Sequence, residues 1–385
     1  MSHELHPELT DRLQHLLASE PGLAADAPAL ARRIREEAGV ISDVDVLAVL
    51  RSLRHDTVGL GPLEPLLARP GVTDVVVNGP RSVFVERGQG LERASLTFAD
   101  EAEVRRLATR LVIAAGGRLD DAQPYADGRL DRDDGSAVRI HAVLAPPAVG
   151  GTCLSVRVLR QAQTSLDALV AGGSVPREIG ERLRRLVERR VSFLVIGGTG
   201  SGKTTLLSAL LGQAAATERL LIIEDTAELA PAHPHVVSLV SRRANAEGRG
   251  ELTMSTLLRQ ALRMRPDRIV VGEIRGAEVV DLLAALNTGH DGGAGTLHAN
   301  SLAEVPARME ALAALGGLDR VGLHSQLAAA VHVVLATRRG PDGSRQLAQI
   351  GLLEGNPVVP RVAWSADGGP TEAWPSFLSL LGEDA

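Results

Sequence analysis

The sequence predicts an α/β protein with two domains and a helical N-terminal extension, the larger domain built on a mostly parallel sheet covered on both faces. Two observations carry that expectation. From Val191 onward, short apolar runs alternate with helix-length amphipathic segments, the pattern of strand–helix–strand units. And 385 residues, 44% apolar and 23% charged, are more than one ordinary core encloses.

In chain order, residues 1–57 read as the helical extension. Leu9, Leu13, Leu16 and Leu17 share one helical face, Leu30, Ile34 and Ala38 another, and 47–53 adds a short helix. Residues 58–160 form a small α/β domain. Strands at 72–78 and 82–87 flank the turn Asn78-Gly79-Pro80-Arg81, a helix follows at 100–116, and strands at 137–144 and 153–159 pair around an intervening loop. Residues 161–175, with Gly172-Gly173 ahead of Pro176, suit a hinge. The larger domain spans 176–355. Its strands fall at 191–196, 220–224, 236–240, 268–272 and 295–298, and its helices at 203–215, 253–264 (capped by Thr253), 277–286, 301–315 and 319–330. Residues 331–355 suit an antiparallel hairpin, and the Pro/Gly-rich tail 356–385 is expected to be loosely ordered.

Composition excludes several function classes. A net charge of −6, a pI near 6.0 and 2% aromatic residues argue against a nucleic-acid partner. The single Cys153 leaves no disulfide framework and no cysteine zinc site. No apolar run approaches the roughly 18 residues that cross a bilayer, and the polar start MSHELHPELTDRL is unlike a signal peptide. A cytoplasmic location is expected, with any membrane association made through a partner.

Four constellations carry chemistry. Gly197-Gly198-Thr199-Gly200-Ser201-Gly202-Lys203-Thr204-Thr205 matches G-x-x-x-x-G-K-[ST] between an apolar strand and a helix, the context the phosphate loop requires. The glycines let backbone N–H groups wrap a phosphate, and the helix N-terminus adds positive potential. Lys203 neutralises β and γ oxygens and the Thr204 hydroxyl suits Mg²⁺, so Mg·ATP is the expected ligand. Of 41 basic residues Lys203 is the one lysine; a slim ammonium fits between phosphates where a guanidinium fork is too wide. Next, Glu224, Asp225 and Glu228 end a strand at the edge that faces the nucleotide in a parallel sheet. They suit a water-orienting or metal-holding cluster, or a capping acidic patch. Ile269-Val270-Val271-Gly272-Glu273 is four apolar residues followed by a carboxylate, which suits the second acidic strand of a P-loop enzyme or a buried strand with an incidental glutamate. Finally, His290 and His298 flank a glycine-rich turn. A histidine there suits a γ-phosphate sensor, a metal ligand or a structural polar contact.

In this order and spacing the four blocks resemble the secretion/traffic ATPase superfamily of type II and type IV secretion ATPases and pilus motors. The resemblance implies a RecA-like P-loop domain and roles for Glu228, Glu273 and their neighbours in activating water and holding metal, with His298 reporting the γ-phosphate. Gly61-Pro62-Leu63-Glu64-Pro65-Leu66-Leu67, Val77-Asn78-Gly79-Pro80 and Arg265-Pro266-Asp267-Arg268 look like the CpaF/TadA branch, which powers tight-adherence (Flp-type) pilus assembly. It also implies a hexameric ring on an inner-membrane platform protein, and N-terminal-domain arginines that reach the phosphates, here Arg139 and Arg157. The zinc-binding cysteine cluster of many type II relatives is absent, and Gly293 and Gly295 stand where relatives often carry Ser and Thr, which removes two hydroxyls expected near the γ-phosphate. Two rival readings stand beside a motor for pili or secretion: a conjugation-associated ATPase that moves nucleic acid, and a non-catalytic ring scaffold that only binds ATP.

Overall fold

The structure, a computed structural model, describes residues 32, 59–88, 90–132, 136–159, 164–242, 244 and 249–383. The helical extension expected over 1–57 lies outside the described residues, residue 32 apart. Two compact units divide the chain, Met1–Arg160 and Gln161–Ala385.

In the first unit a short helix α1 (Glu64–Leu67) leads into strands β1 (Asp74–Asn78), β2 (Val83–Glu86) and β3 (Leu91–Arg93). Helix α2 (Glu101–Ala114) follows, then β4 (Tyr125–Asp131), β5 (Ala137–Val143) and β6 (Cys153–Leu159). The strands form one antiparallel sheet in the order β3-β2-β1-β6-β5-β4. Alternation sorts its faces: Val75, Val77, Ile140, Leu154 and Val156 are buried with Val104, Leu107 and Leu111 of α2. Asp100 caps α2 by accepting the Glu103 N–H at 2.8 Å. The edge strands β3 and β4 lie outside the strands the sequence announces. LER and YADGRLD carry too few apolar residues to signal a strand, and neighbours supply the pairing instead.

The second unit opens with α3 (Leu166–Ala171) and α4 (Arg177–Glu188). The alternation follows: β7 (Phe193–Ile196), α5 (Lys203–Leu211), β8 (Leu220–Glu224), β9 (Val236–Val240), α6 (Met254–Ala261), β10 (Arg268–Ile274), α7 (Glu278–Leu286) and β11 (Ala294–Leu297). Helices α8 (Val305–Leu315) and α9 (Arg320–Ala330) precede β12 (Val333–Arg339), β13 (Arg345–Glu354), β14 (Val359–Ser365), β15 (Gly369–Pro370) and α10 (Trp374–Leu381). The sheet order is β15-β14-β13-β12-β7-β11-β10-β8-β9, parallel from β12 to β9 and antiparallel beyond. Successive residues of β7 serve opposite faces: Phe193 and Val195 pack with α4, α5 and α10, Leu194 and Ile196 with α6 to α9. That two-sided burial is why the strands read as unbroken apolar runs.

The tail corrects its sequence expectation. Instead of a loose end, it supplies β14, β15 and α10, with Ala363, Phe377 and Leu381 fully buried and Trp364 5% exposed. Pro375 falls in the first turn of α10, where a missing N–H costs nothing, while Pro360 lies within β14 and Gly369-Pro370 form the short edge strand β15. Within 161–175, residues 166–171 form α3, capped by Ser165.

Candidate nucleotide site

Parallel pairing brings the ends of β7, β8, β10 and β11 to one edge. Leu297 stands beside Ile196 and Ile274, and Val271 beside Ile223. The phosphate loop leaves β7 at that edge. Gly197 has no room for a side chain, since a Cβ would meet the Thr337 carbonyl oxygen at 2.6 Å. Gly202, at φ 95°, caps α5 in a conformation that L side chains rarely adopt. Ser201 is only 3% exposed and braces the loop: its hydroxyl donates to the Gly198 carbonyl at 2.8 Å and sits 2.8 Å from Thr337 Oγ1. Thr337 in turn donates to the Ile196 carbonyl at 3.0 Å. Lys203 Nζ donates to the carbonyls of Gly197 and Gly198 at 2.8 and 3.0 Å. Burial pushes its pKa down, while the carboxylates of Glu273 and Glu228 pull it up and Arg275 pulls it down.

The acidic residues divide into two kinds. Glu224 is buried at 3% exposure; its Oε1 accepts the N–H groups of Glu228 and Leu229, each at 3.1 Å, and among the described residues its Oε2 has no hydrogen-bond partner. Burial raises its pKa to about 7, against the opposing pull of those N–H groups. Glycine at 272 makes space for it: a Cβ there would lie 2.5 Å from Glu224 Cγ. Glu224 therefore braces the loop that bears Glu228 while packing against Gly272, next to Glu273 in the chain. Asp225 and Glu228 are exposed and Glu273 half-buried.

Arg275, which the motif reading passed over, joins the two acidic blocks. Its Nη1 donates to Asp225 Oδ2 at 2.6 Å and its Nη2 to Glu273. Glu278 holds its backbone by accepting the N–H groups of Arg275 and Gly276 at 2.6 and 2.8 Å. The signal for Arg275 was its position two residues after the strand-end carboxylate, a spacing that returns a side chain to the same face.

The two histidines part company. His298 follows β11 at the phosphate-loop edge, half-buried. His290 lies before β11, at the opposite edge, where its Nδ1–H donates to the Ala285 carbonyl at 3.1 Å and serves as a structural contact on α7. Gly293 also lies at that far edge, its carbonyl accepting the Phe193 N–H, roughly 13 Å along the strand from Leu297. The expectation that Gly293 and Gly295 cost the site two hydroxyls is thereby corrected. A Cβ at 293 would collide with the Leu286 side chain and meet the Ile269 carbonyl at 2.7 Å; one at 295 would meet the Val271 carbonyl at 3.0 Å. Packing, not phosphate chemistry, demands glycine there. Asn300 is nearer the loop, its Oδ1 3.8 Å from the Cβ position of Gly198.

A cavity of about 330 Å³ adjoins the loop, walled by the first turn of α5, by Leu169, Ser174 and Val175, and by the β12–β13 hairpin. In the first unit, Arg139 and Arg157 stand directly opposite one another on β5 and β6, on the face turned from α2. Arg157 donates to Asp74 at 2.8 Å, and Arg139 lies 3.9 Å from Asp127.

Oxygen is the only donor type the loop and acidic strands offer a metal: the Thr204 hydroxyl and the Glu273 carboxylate. That set fits Mg²⁺, which takes one or two protein oxygens and completes its shell with phosphates and water. Among the described residues, no three His, Cys, Asp or Glu gather to hold a metal by themselves, and no helix is long and apolar enough to cross a membrane.

Comparison with known proteins adds four findings. Residues 56–342 match the family described as type II/IV secretion system protein. A Mycobacterium tuberculosis (strain H37Rv) protein named for conjugal transfer is 59% identical over 347 residues, 89% of this chain and 98% of its own. The conjugal transfer protein TrbB of Rhizobium radiobacter is 32% identical over 278 residues, 71% of this chain and 81% of its own. In fold, the X-ray structure of the Legionella pneumophila ATPase DotB superposes with a TM-score of 0.53 over 73% of this chain and 76% of DotB, at 20% identity.

Proposed function

The chain belongs to the type II/IV secretion system protein family, and from that premise we propose that it hydrolyses Mg·ATP and delivers the energy as mechanical work to a secretion, pilus or conjugation machine. One observation carries the reading: Lys203 heads α5 on a braced phosphate loop within the electrostatic reach of Glu273, Glu228 and Arg275. Loop amides and Lys203 hold the phosphates of ATP. Thr204 and Glu273 hold the metal, which when bound spreads the charge developing on the phosphates. Glu228, exposed at the same edge, orients the attacking water, and His298 contacts the γ-phosphate. Glu224 positions the loop from behind and touches no substrate. Arg139 and Arg157 complete the charge stabilisation.

The working assembly in this reading is a hexameric ring in the cytoplasm, docked on an inner-membrane platform protein. The segments 61–67, 77–80 and 265–268 favour an Flp-type pilus as the cargo machine. The two relatives named for conjugal transfer favour a second reading, movement of DNA, against which the net charge of −6 and the scarcity of aromatics weigh. DNA-stimulated hydrolysis with a steep salt dependence separates the two.

Steady-state ATPase assays test the core claim. Lys203→Ala abolishes turnover, and Lys203→Arg falls below about half of wild-type kcat, because the guanidinium fork does not fit the phosphate nest. A Lys203→Arg protein at wild-type speed overturns that account of the loop.

A further inference from the structure

The β12–β13 hairpin presents two arginines to the phosphate loop. Arg339 and Arg345 are directly opposed, the last pair before the turn. Arg339 Nη1 lies 3.9 Å from the Cβ position of Gly200, and the stem of Arg345 lies 3.4 and 3.5 Å from that of Gly202. The hairpin is also rigid. Asp342 accepts the Ser344 N–H and hydroxyl at 3.0 and 2.6 Å, Gly340 donates to the Ser344 carbonyl at 2.8 Å, and Leu347 donates to the Ser174 carbonyl at 2.9 Å. That last bond fixes the hairpin to the segment forming the facing wall of the cavity.

Resting on the ATPase reading above, we propose that this hairpin is the nucleoside wall of the site, with the guanidinium plane of Arg345 covering the base. The roughly 330 Å³ between it and Leu169, Val175 and Leu206 exceeds what a purine fills and leaves space for the ribose. Apolar side chains on one side and a planar cation on the other suit an aromatic base. The hairpin therefore grips the part that ATP and ADP share, and the phosphate loop grips the rest. Leu347, buried at 2% exposure, anchors the hairpin below Arg345.

Calorimetric titration of the full chain tests this with ADP, ATP and inorganic tripolyphosphate as probes. Arg345 is exposed, so Arg345→Ala keeps the fold. The variant weakens ADP and ATP alike by about tenfold and leaves tripolyphosphate binding as in wild type. Arg345→Lys, which keeps the charge and loses the plane, recovers less than half of that loss on the logarithmic scale. Unchanged ADP affinity in Arg345→Ala, or a tripolyphosphate loss equal to the ADP loss, overturns the assignment. A wild-type chain that binds neither nucleotide overturns the ATPase reading, and this one with it.

Discussion

Glu224 shows how burial makes a strand-end carboxylate into a pH-dependent element of stability. Its folded pKa of about 7 stands above the ordinary 4.5. Below the lower value both the folded and unfolded chains hold the proton and there is no penalty. As pH rises from 4.5 towards 7, the unfolded chain releases its proton first, and stability falls; above 7 the loss levels off at roughly 3 kcal/mol. Glu224→Gln keeps an oxygen to accept the two N–H groups and cannot ionise. The variant therefore gains stability relative to wild type between pH 5 and pH 8, which urea midpoints at the two pH values measure. A wild-type-to-variant gap that is the same at both would contradict the burial of this carboxyl. Arg275 stands nearby as a residue whose spacing from Glu273 put it on the right face but did not reveal its partner, because it bridges Glu273 of β10 and Asp225, which follows β8.

At the scale of elements, the strand–loop–helix that holds Lys203 was legible because each part is locally determined: an apolar strand, glycines at special backbone angles, a helix head. The glycine-rich turn before β11 was not. Sequence proximity put Gly293 and His290 with His298, yet a single strand sends them to opposite edges of the sheet. Gly293→Ser tests this assignment. The new side chain enters space held by Leu286 and the Ile269 carbonyl, so the variant loses on the order of 1–3 kcal/mol of stability, as overpacked cores do. Its folded fraction binds ATP as wild type does, since position 293 is remote from the phosphate loop. Thermal melts and nucleotide titration on the same sample check both halves; weaker ATP binding at full stability would return position 293 to the active site.

On the scale of the whole molecule, the question is whether the first unit takes part in chemistry. Arg139 and Arg157 share one face of its sheet, opposed across β5 and β6, and Asp74 and Asp127 flank them. Guanidinium groups gain most where phosphoryl transfer develops charge. Replacing either with Ala lowers kcat by roughly 10- to 1,000-fold and changes ATP affinity less, if each contacts the transition state. Pre-steady-state turnover with separate measurement of ATP binding distinguishes the two effects. Wild-type hydrolysis by both variants would remove the first unit from the active site and leave the second to act alone.

By itself the sequence determined the fold class, the phosphate loop and the strand-end acids, since those depend on periodicity and on short-range backbone geometry. Tertiary structure alone decided which candidates share an edge. Strand register placed His298 with the loop and His290 away from it; burial set Glu224 apart from the exposed Asp225 and Glu228; and pairing drew the Pro/Gly-rich tail into the sheet as β14 and β15. These outcomes rest on contacts between residues far apart in the chain, whose energies come from desolvation and close packing. No local pattern encodes them.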